Sequence, residues 1–152
     1  MEELKVANET SQYIVIKIGV EQYGIDIQYI DNIVRMQNIT RVPKVAPYIK
    51  GVINLRGEVI PVISLRNKMG LAPDEYSKNT RIIILKADGF ETTGAIVDEV
   101  KEVVTLQVEQ VEKVSYNGKD DKANYIMGIG KYNEELVSLL DLNIILSDKD
   151  TV

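Results

Sequence analysis

A chain of 152 residues can bury about 70% of the surface its unfolded form exposes, enough for one domain or two closely packed halves without a disulfide or metal staple. With 45% hydrophobic and 27% charged residues it has a globular composition, not a disordered one. A net charge of −5 disfavours nucleic acid and anionic membrane as partners of the molecule overall, and the lack of His and Cys removes ordinary zinc sites, thiol nucleophiles, phosphohistidine carriage and any base with an unperturbed pKa near 7.

Residues 1–12 are polar and patternless, with neither the basic nor the apolar region of a signal peptide, and 147–152 resemble them. Both ends are expected to be tails, with the folded unit over 13–146. From Tyr13, YIVIKIGVEQYGIDI reads as a hairpin of β-branched strands turning at Gly19 to Gln22. Ile27, Ile30 and Ile33 then recur every three residues, which predicts a helical turn or tight bend. Pro43 and Pro47 mark an irregular connection, since each lacks an N–H and biases its predecessor toward extended geometry.

GVINLRGEVIPVISL reads as a second hairpin, turning at Arg56 and Gly57 where Gly supplies a positive φ. Pro61 predicts an edge strand or a bulge. A helical turn, LRNKMG, stops at Gly70, and APDEYSKN connects it to RIIILKADGFETTGAIVDEV, a third hairpin with its turn at Asp88 and Gly89. No apolar run of about 18 residues is present to span a bilayer, so direct membrane insertion is not expected and the default location is the cytoplasm.

The chain repeats itself. Tyr48–Leu65 aligns without gaps on Tyr125–Leu142, with identities at Tyr48/Tyr125, Ile49/Ile126, Gly51/Gly128, Glu58/Glu135 and Leu65/Leu142. A second match sets Gly24, Ile30 and Ile33 over Gly94, Val100 and Val103. Duplication predicts two small β-barrels sharing an interface, one half near 13–70 and the other near 80–146.

Catalytic chemistry finds little support. Asp26, Asp31, Asp98 and Glu99 have no spacing that singles out an acid/base pair, and they read as a solvated face. No phosphate loop occurs, and MGIGKYNEE lacks the setting of a dinucleotide site. The eight tyrosines lack the basic interleaving of a base-stacking surface. No cofactor is implied. Arg56 stands out because the second copy carries Asn133 and Glu134 where the first has Arg56 and Gly57. Two readings remain open for it, a solvated turn residue or a planar donor fork offered to a partner.

YGIDIQYIDNIVR, YIKGVINLRGEVIPVISLR, GAIVDEVKEV and YIMGIGKYNEELVSLLDL together resemble the CheW family of bacterial chemotaxis coupling proteins. The resemblance spans residues 13 to 146, and GVINLRGEVIPVISLR is its most specific segment. It implies a mainly β fold, two intertwined five-stranded SH3-like β-barrels around a common core, with short helices including one near the C-terminus. It also implies a non-catalytic cytoplasmic adaptor. Its partners would be the cytoplasmic tip of methyl-accepting chemotaxis receptors and the regulatory domain of the histidine kinase CheA, in arrays at the membrane. A related scaffold serving another two-component pathway is the alternative.

By the same resemblance, the receptor-binding residues are Ile30, Asn32, Ile33, Arg56, Gly57 and Val97. Asn32 departs from the Glu that a member of the family has at this position, and so lacks the negative charge for a contact there. The kinase-binding residues implied are Thr40, Val42 and Val45, side chains that would equally serve to cap their own barrel.

Overall fold

The computed structural model describes residues 9–113 and 122–147. The expected tails fall largely outside these residues, with one correction: strand β1 (Thr10–Ile18) begins inside the N-terminal one. Thr10, Ser11 and Gln12 are polar, yet they pair with Gln107, Leu106 and Thr105, so a distant strand orders them rather than any local apolar pattern.

β1 turns tightly at Gly19 into β2 (Glu21–Asp26), as the hairpin reading requires. The spacing of Ile27, Ile30 and Ile33 misleads. Only Ile27–Tyr29 is helical, a single 3-10 turn capped by Asp26, whose carboxylate accepts from Gln28 N. Ile30 and Ile33 lie in strand β3 (Ile30–Arg35). An unbroken strand would point residues three apart to opposite faces. A bulge between Ile30 and Asn32 restores both isoleucines to the central core, so a three-residue period here marks a bulge and not a helix.

β4 (Ile49–Leu55) and β5 (Glu58–Ser64) form the second hairpin, followed by α1 (Leu65–Lys68). β5 is not an edge strand, being flanked by β4 and β7 (Thr93–Val97), but its ladder with β7 starts only at Val62 and leaves Pro61 outside it. β6 (Arg81–Leu85) precedes β7. The chain continues through β8 (Glu99–Gln107), β9 (Val111–Lys113), β10 (Ile126–Tyr132), β11 (Glu135–Leu140) and α2 (Leu142–Leu146).

The strands form two sheets, ordered β8-β1-β2-β11-β10-β9 and β3-β6-β7-β5-β4. Each curls into a barrel. The first copy is closed by Thr40, which exchanges two 2.8 Å backbone hydrogen bonds with Val52 of β4; the second is closed by β9, with Glu112 opposite Ile129. Gly51 and Gly128 sit beside these closures. A Cβ on Gly51 would overlap the Thr40 carbonyl, and one on Gly128 would lie 3.2 Å from Glu112 O, which explains that identity between the copies.

Register confirms the duplication residue by residue. Parallel pairing sets Val62 against Gly94 and Leu139 against Gly24. Ile30 and Ile33 face Leu85 and Ile83, as Val100 and Val103 face Ile16 and Ile14. The sequence halves are nevertheless not the spatial units. The division near 13–70 and 80–146 is corrected by topology, because β1 and β2 complete the sheet of β8–β11, while β6 and β7 complete that of β3–β5. This is the intertwining the resemblance implied.

Both faces of the inner strands are buried, which is why they read as near-continuous apolar runs. Ile83 and Leu85 face a core shared by both sheets, with Ile14, Ile16, Tyr23 and Ile25, whereas Ile82 and Ile84 face the interior of their own barrel. Tyr13 and Val15 fill the other interior with Leu106 and Leu139. Among the described residues no helix is long and apolar enough to cross a membrane.

Candidate functional site

The β4–β5 hairpin turns on two residues with positive φ, Arg56 at 56° and Gly57 at 84°. Asn54 Oδ1 accepts from Gly57 N at 3.1 Å and braces the turn. The equivalent turn in the second copy uses Asn133 at φ 50° and Glu134 at 64°. Asn tolerates left-handed backbone through its short polar side chain, whereas most other residues bear roughly 1–2 kcal/mol there. The first copy thus holds a long cationic side chain where backbone energetics favour Asn or Gly. Arg56 is exposed, and no carboxylate among the described residues forms an ion pair with it. The space around Gly57 is open, with nothing within 4 Å of where a Cβ would stand.

Ile30 and Ile33 are half-buried against the shared core, leaving part of each side chain at the surface of β3. Asn32 between them turns its Oδ1 back to accept from Ile33 N at 2.8 Å, so the side chain is partly spent on its own strand. Val97 is a correction to the expected receptor set. It is 0% exposed within the shared core, because its strand β7 is central to its sheet and covered on both faces. Among the described residues no hydrogen bond or ion pair links Arg56 to Ile30, Asn32 or Ile33.

The connection from β3 to β4 carries the three residues expected at the kinase surface and divides them. Thr40 closes the barrel through its backbone. Val42, 38% exposed, and Val45 line an open groove of about 880 Å³ whose walls also include Met36, Ile39 and Ile49. Pro43 and Pro47 hold the segment irregular, and Lys44 adopts a left-handed φ of 63°.

One polar constellation escaped the sequence reading. Asp98, placed among the solvated carboxylates, sits where the chain leaves β7 in one sheet for β8 in the other. Its Oδ1 accepts from Arg66 Nε at 3.2 Å and its Oδ2 accepts from Arg66 Nη2 and from Gly19 N, the latter at 2.8 Å. Asp98 N donates to Lys17 O at 3.1 Å, and Arg66 Nη1 donates to Ala72 O at 3.1 Å. Burial alone would raise the Asp98 pKa, but the Arg66 hydrogen bond and the Gly19 N–H outweigh it and hold the carboxyl below its usual range. The same partnership raises the Arg66 guanidinium. The clasp ties α1, the β1–β2 turn and the inter-sheet crossover together. Its only trace in the sequence is an Arg just after one hairpin and an Asp just after another.

Comparison with known proteins agrees with this geometry. A family model described as a CheW-like domain matches residues 12–150. The chain is 38% identical to a Bacillus subtilis chemotaxis protein CheW over 91% of its own length and 87% of the relative's. It is 33% identical to a Klebsiella aerogenes chemotaxis protein CheW, covering 96% of this chain and 89% of the other. Among solved structures it resembles the crystal structure of scaffolding protein TtCheW from Thermoanaerobacter tengcongensis, with a TM-score of 0.84 and 31% identity over 94% of this chain and 97% of that one.

Proposed function

The chain belongs to the CheW family of chemotaxis scaffolding proteins, and on that premise we propose that it is a non-catalytic adaptor coupling methyl-accepting chemoreceptors to the histidine kinase CheA. It would be cytoplasmic and recruited to receptor arrays at the membrane through these two partners. The observation carrying this reading is Arg56, an exposed arginine kept in left-handed backbone at a turn whose duplicate has Asn. Such a position costs stability, so its retention points to a contact outside the chain.

In this reading the receptor surface comprises Arg56 and Gly57 at the hairpin tip with Ile30, Asn32 and Ile33 on β3. The isoleucines offer partly exposed apolar surface to an amphipathic receptor helix, and Arg56 offers its donor fork to a carboxylate or carbonyl. Val42 and Val45 form the kinase surface on the β3–β4 connection, stiffened by the closure at Thr40. Receptor and kinase surfaces then lie on one rigid barrel, which suits an adaptor that transmits position as well as proximity.

The test is binding of purified CheA and of a receptor signalling domain to the native protein and to Arg56→Glu. The native protein is expected to bind both. The variant should bind receptor about tenfold or more weakly while keeping its fold and its kinase affinity. Folded native protein that binds neither partner would overturn the adaptor reading.

A further inference from the structure

Two like charges stand opposite each other at the end of the β3–β6 ladder. Arg35, the last residue of β3, pairs in register with Arg81, the first of β6, so both side chains leave the sheet from one face at directly opposed positions. A like-charge pair of this kind destabilises a sheet. Among the described residues no carboxylate forms an ion pair with either arginine or with nearby Lys78. These three cations line one open hollow of about 500 Å³ together with Ser77, Asn79 and Thr80. No Asp or Glu lines it, on a chain with 23 acidic residues against 18 basic ones.

The duplicate copy reveals what the fold itself requires at this place. Ile33 faces Ile83, and two residues further along that ladder Arg35 faces Arg81; Val103 faces Ile14, and two residues further along Thr105 faces Gln12. The neutral pair also lines a hollow, of about 350 Å³, which includes Asp26 and no Lys or Arg. Uncharged side chains therefore suffice to end these strands. The arginine pair is a departure by one copy that the sheet does not need and that works against its stability.

The charged hollow is also held in shape. Arg81 is half-buried, and its Nη1 donates to Lys78 O and Thr80 O, both at 2.9 Å, while its Nε and Nη2 have no hydrogen-bond partner among the described residues. The turn carrying Lys78 is fixed by Ser77 N, which donates to Thr80 Oγ1 at 2.8 Å, and by Asn79 N, which donates to Ser77 Oγ at 3.1 Å. A guanidinium set in place beforehand gives up less freedom when an anion arrives.

We propose that this hollow is a binding site for a phosphate group, a phosphate monoester or a diphosphate. Planar guanidinium forks engage phosphate oxygens two at a time, and Lys78 adds a point charge. A group of about −2 charge with several acceptor oxygens balances the cluster, whereas a single carboxylate would leave most of its charge uncompensated. A long polyanion is disfavoured, since the net charge of −5 repels it outside the hollow. The inference stands apart from the adaptor reading, whose receptor and kinase surfaces use none of these three cations. The same chemistry can come from a soluble phosphate compound or from a lipid headgroup, and the two arms of the test separate them.

The first arm is titration calorimetry of pyrophosphate into the full-length protein at about pH 8, with ionic strength held constant by NaCl. Native protein should bind, and its melting temperature should rise with pyrophosphate concentration. Arg35→Gln and Lys78→Gln, both at exposed positions, should each weaken binding about tenfold and reduce that rise, whereas Lys101→Gln, with the same change in net charge on β8, should match native. The second arm is flotation with phosphatidylcholine vesicles with and without phosphatidic acid. Phosphatidic-acid-dependent binding that both hollow variants lose, without a response to pyrophosphate, assigns the phosphate to a lipid headgroup; the reverse assigns it to a soluble ligand. Native protein that responds to neither probe would overturn the proposal. So would equal losses from Lys101→Gln, since the effect would then be one of net charge. Either result leaves binding of receptor and kinase as a separate question.

Discussion

Replacing Asp98 by Asn should destabilise the fold by about 2 kcal/mol at neutral pH. Asp98 accepts from two Arg66 nitrogens and from Gly19 N. Each charge-assisted hydrogen bond of this type contributes about 1.5–3 kcal/mol when well shielded. The side chains are 15% and 27% exposed, so solvent screens part of that, and Asn keeps one acceptor while presenting an amide N–H₂ to other donors. For a chain of this size the loss corresponds to a drop in Tm of about 4–8 °C, readable by circular dichroism or calorimetry. The pH dependence gives an independent check. Because the folded Asp98 pKa is depressed, its stabilising contribution is complete above the unfolded value of about 4 and disappears as pH falls through the lower folded value. The gap between native and Asp98→Asn should therefore be constant at neutral pH and close in acid. A variant melting within about 1 °C of native at pH 7, or a gap that persists undiminished to about pH 2.5, would refute the reasoning.

Gly51→Ala should unfold the protein or lower its stability by more than about 3 kcal/mol, since the new Cβ overlaps the Thr40 carbonyl that closes the barrel. Gly57→Ala, with open space around it, should cost only about 1 kcal/mol from its φ of 84°, and denaturant titration of the pair separates the two causes. Arg56→Asn should leave stability unchanged or raise it by about 0.5–1 kcal/mol while weakening receptor binding, an opposition that a purely structural turn residue would not show.

The hairpins were legible in the sequence because β-branched runs and Gly-centred turns are local signals, and the duplication was legible because its copies keep the same close approaches, as at Gly51 and Gly128. What local signals could not convey was partnership between distant segments. Ile30 and Ile33 look helical until the bulge opposite Leu85 and Ile84 is known, and Thr10–Gln12 look like a tail until β8 pairs with them. Val97 was misplaced at the surface for the same reason, since a residue's depth depends on which strands flank its own. Asp98 and Arg66 are 32 positions apart and meet only because the chain crosses between sheets there. Arg56 and Gly57 form the β4–β5 turn that the sequence predicts, because turn chemistry is local.

The exchange of strands between the halves also governs how the chain comes into being. Tyr23 and Gly24 meet their neighbours Ser138 and Leu139 only when almost the whole polypeptide exists. During synthesis the N-terminal hairpin must wait with an open, apolar edge, and long-range pairing of this kind makes for slow, high-contact-order folding. A chain cut short before β11 would therefore be no half-strength adaptor. It would be an unfinished sheet offering its bare edge to whatever strand arrives first.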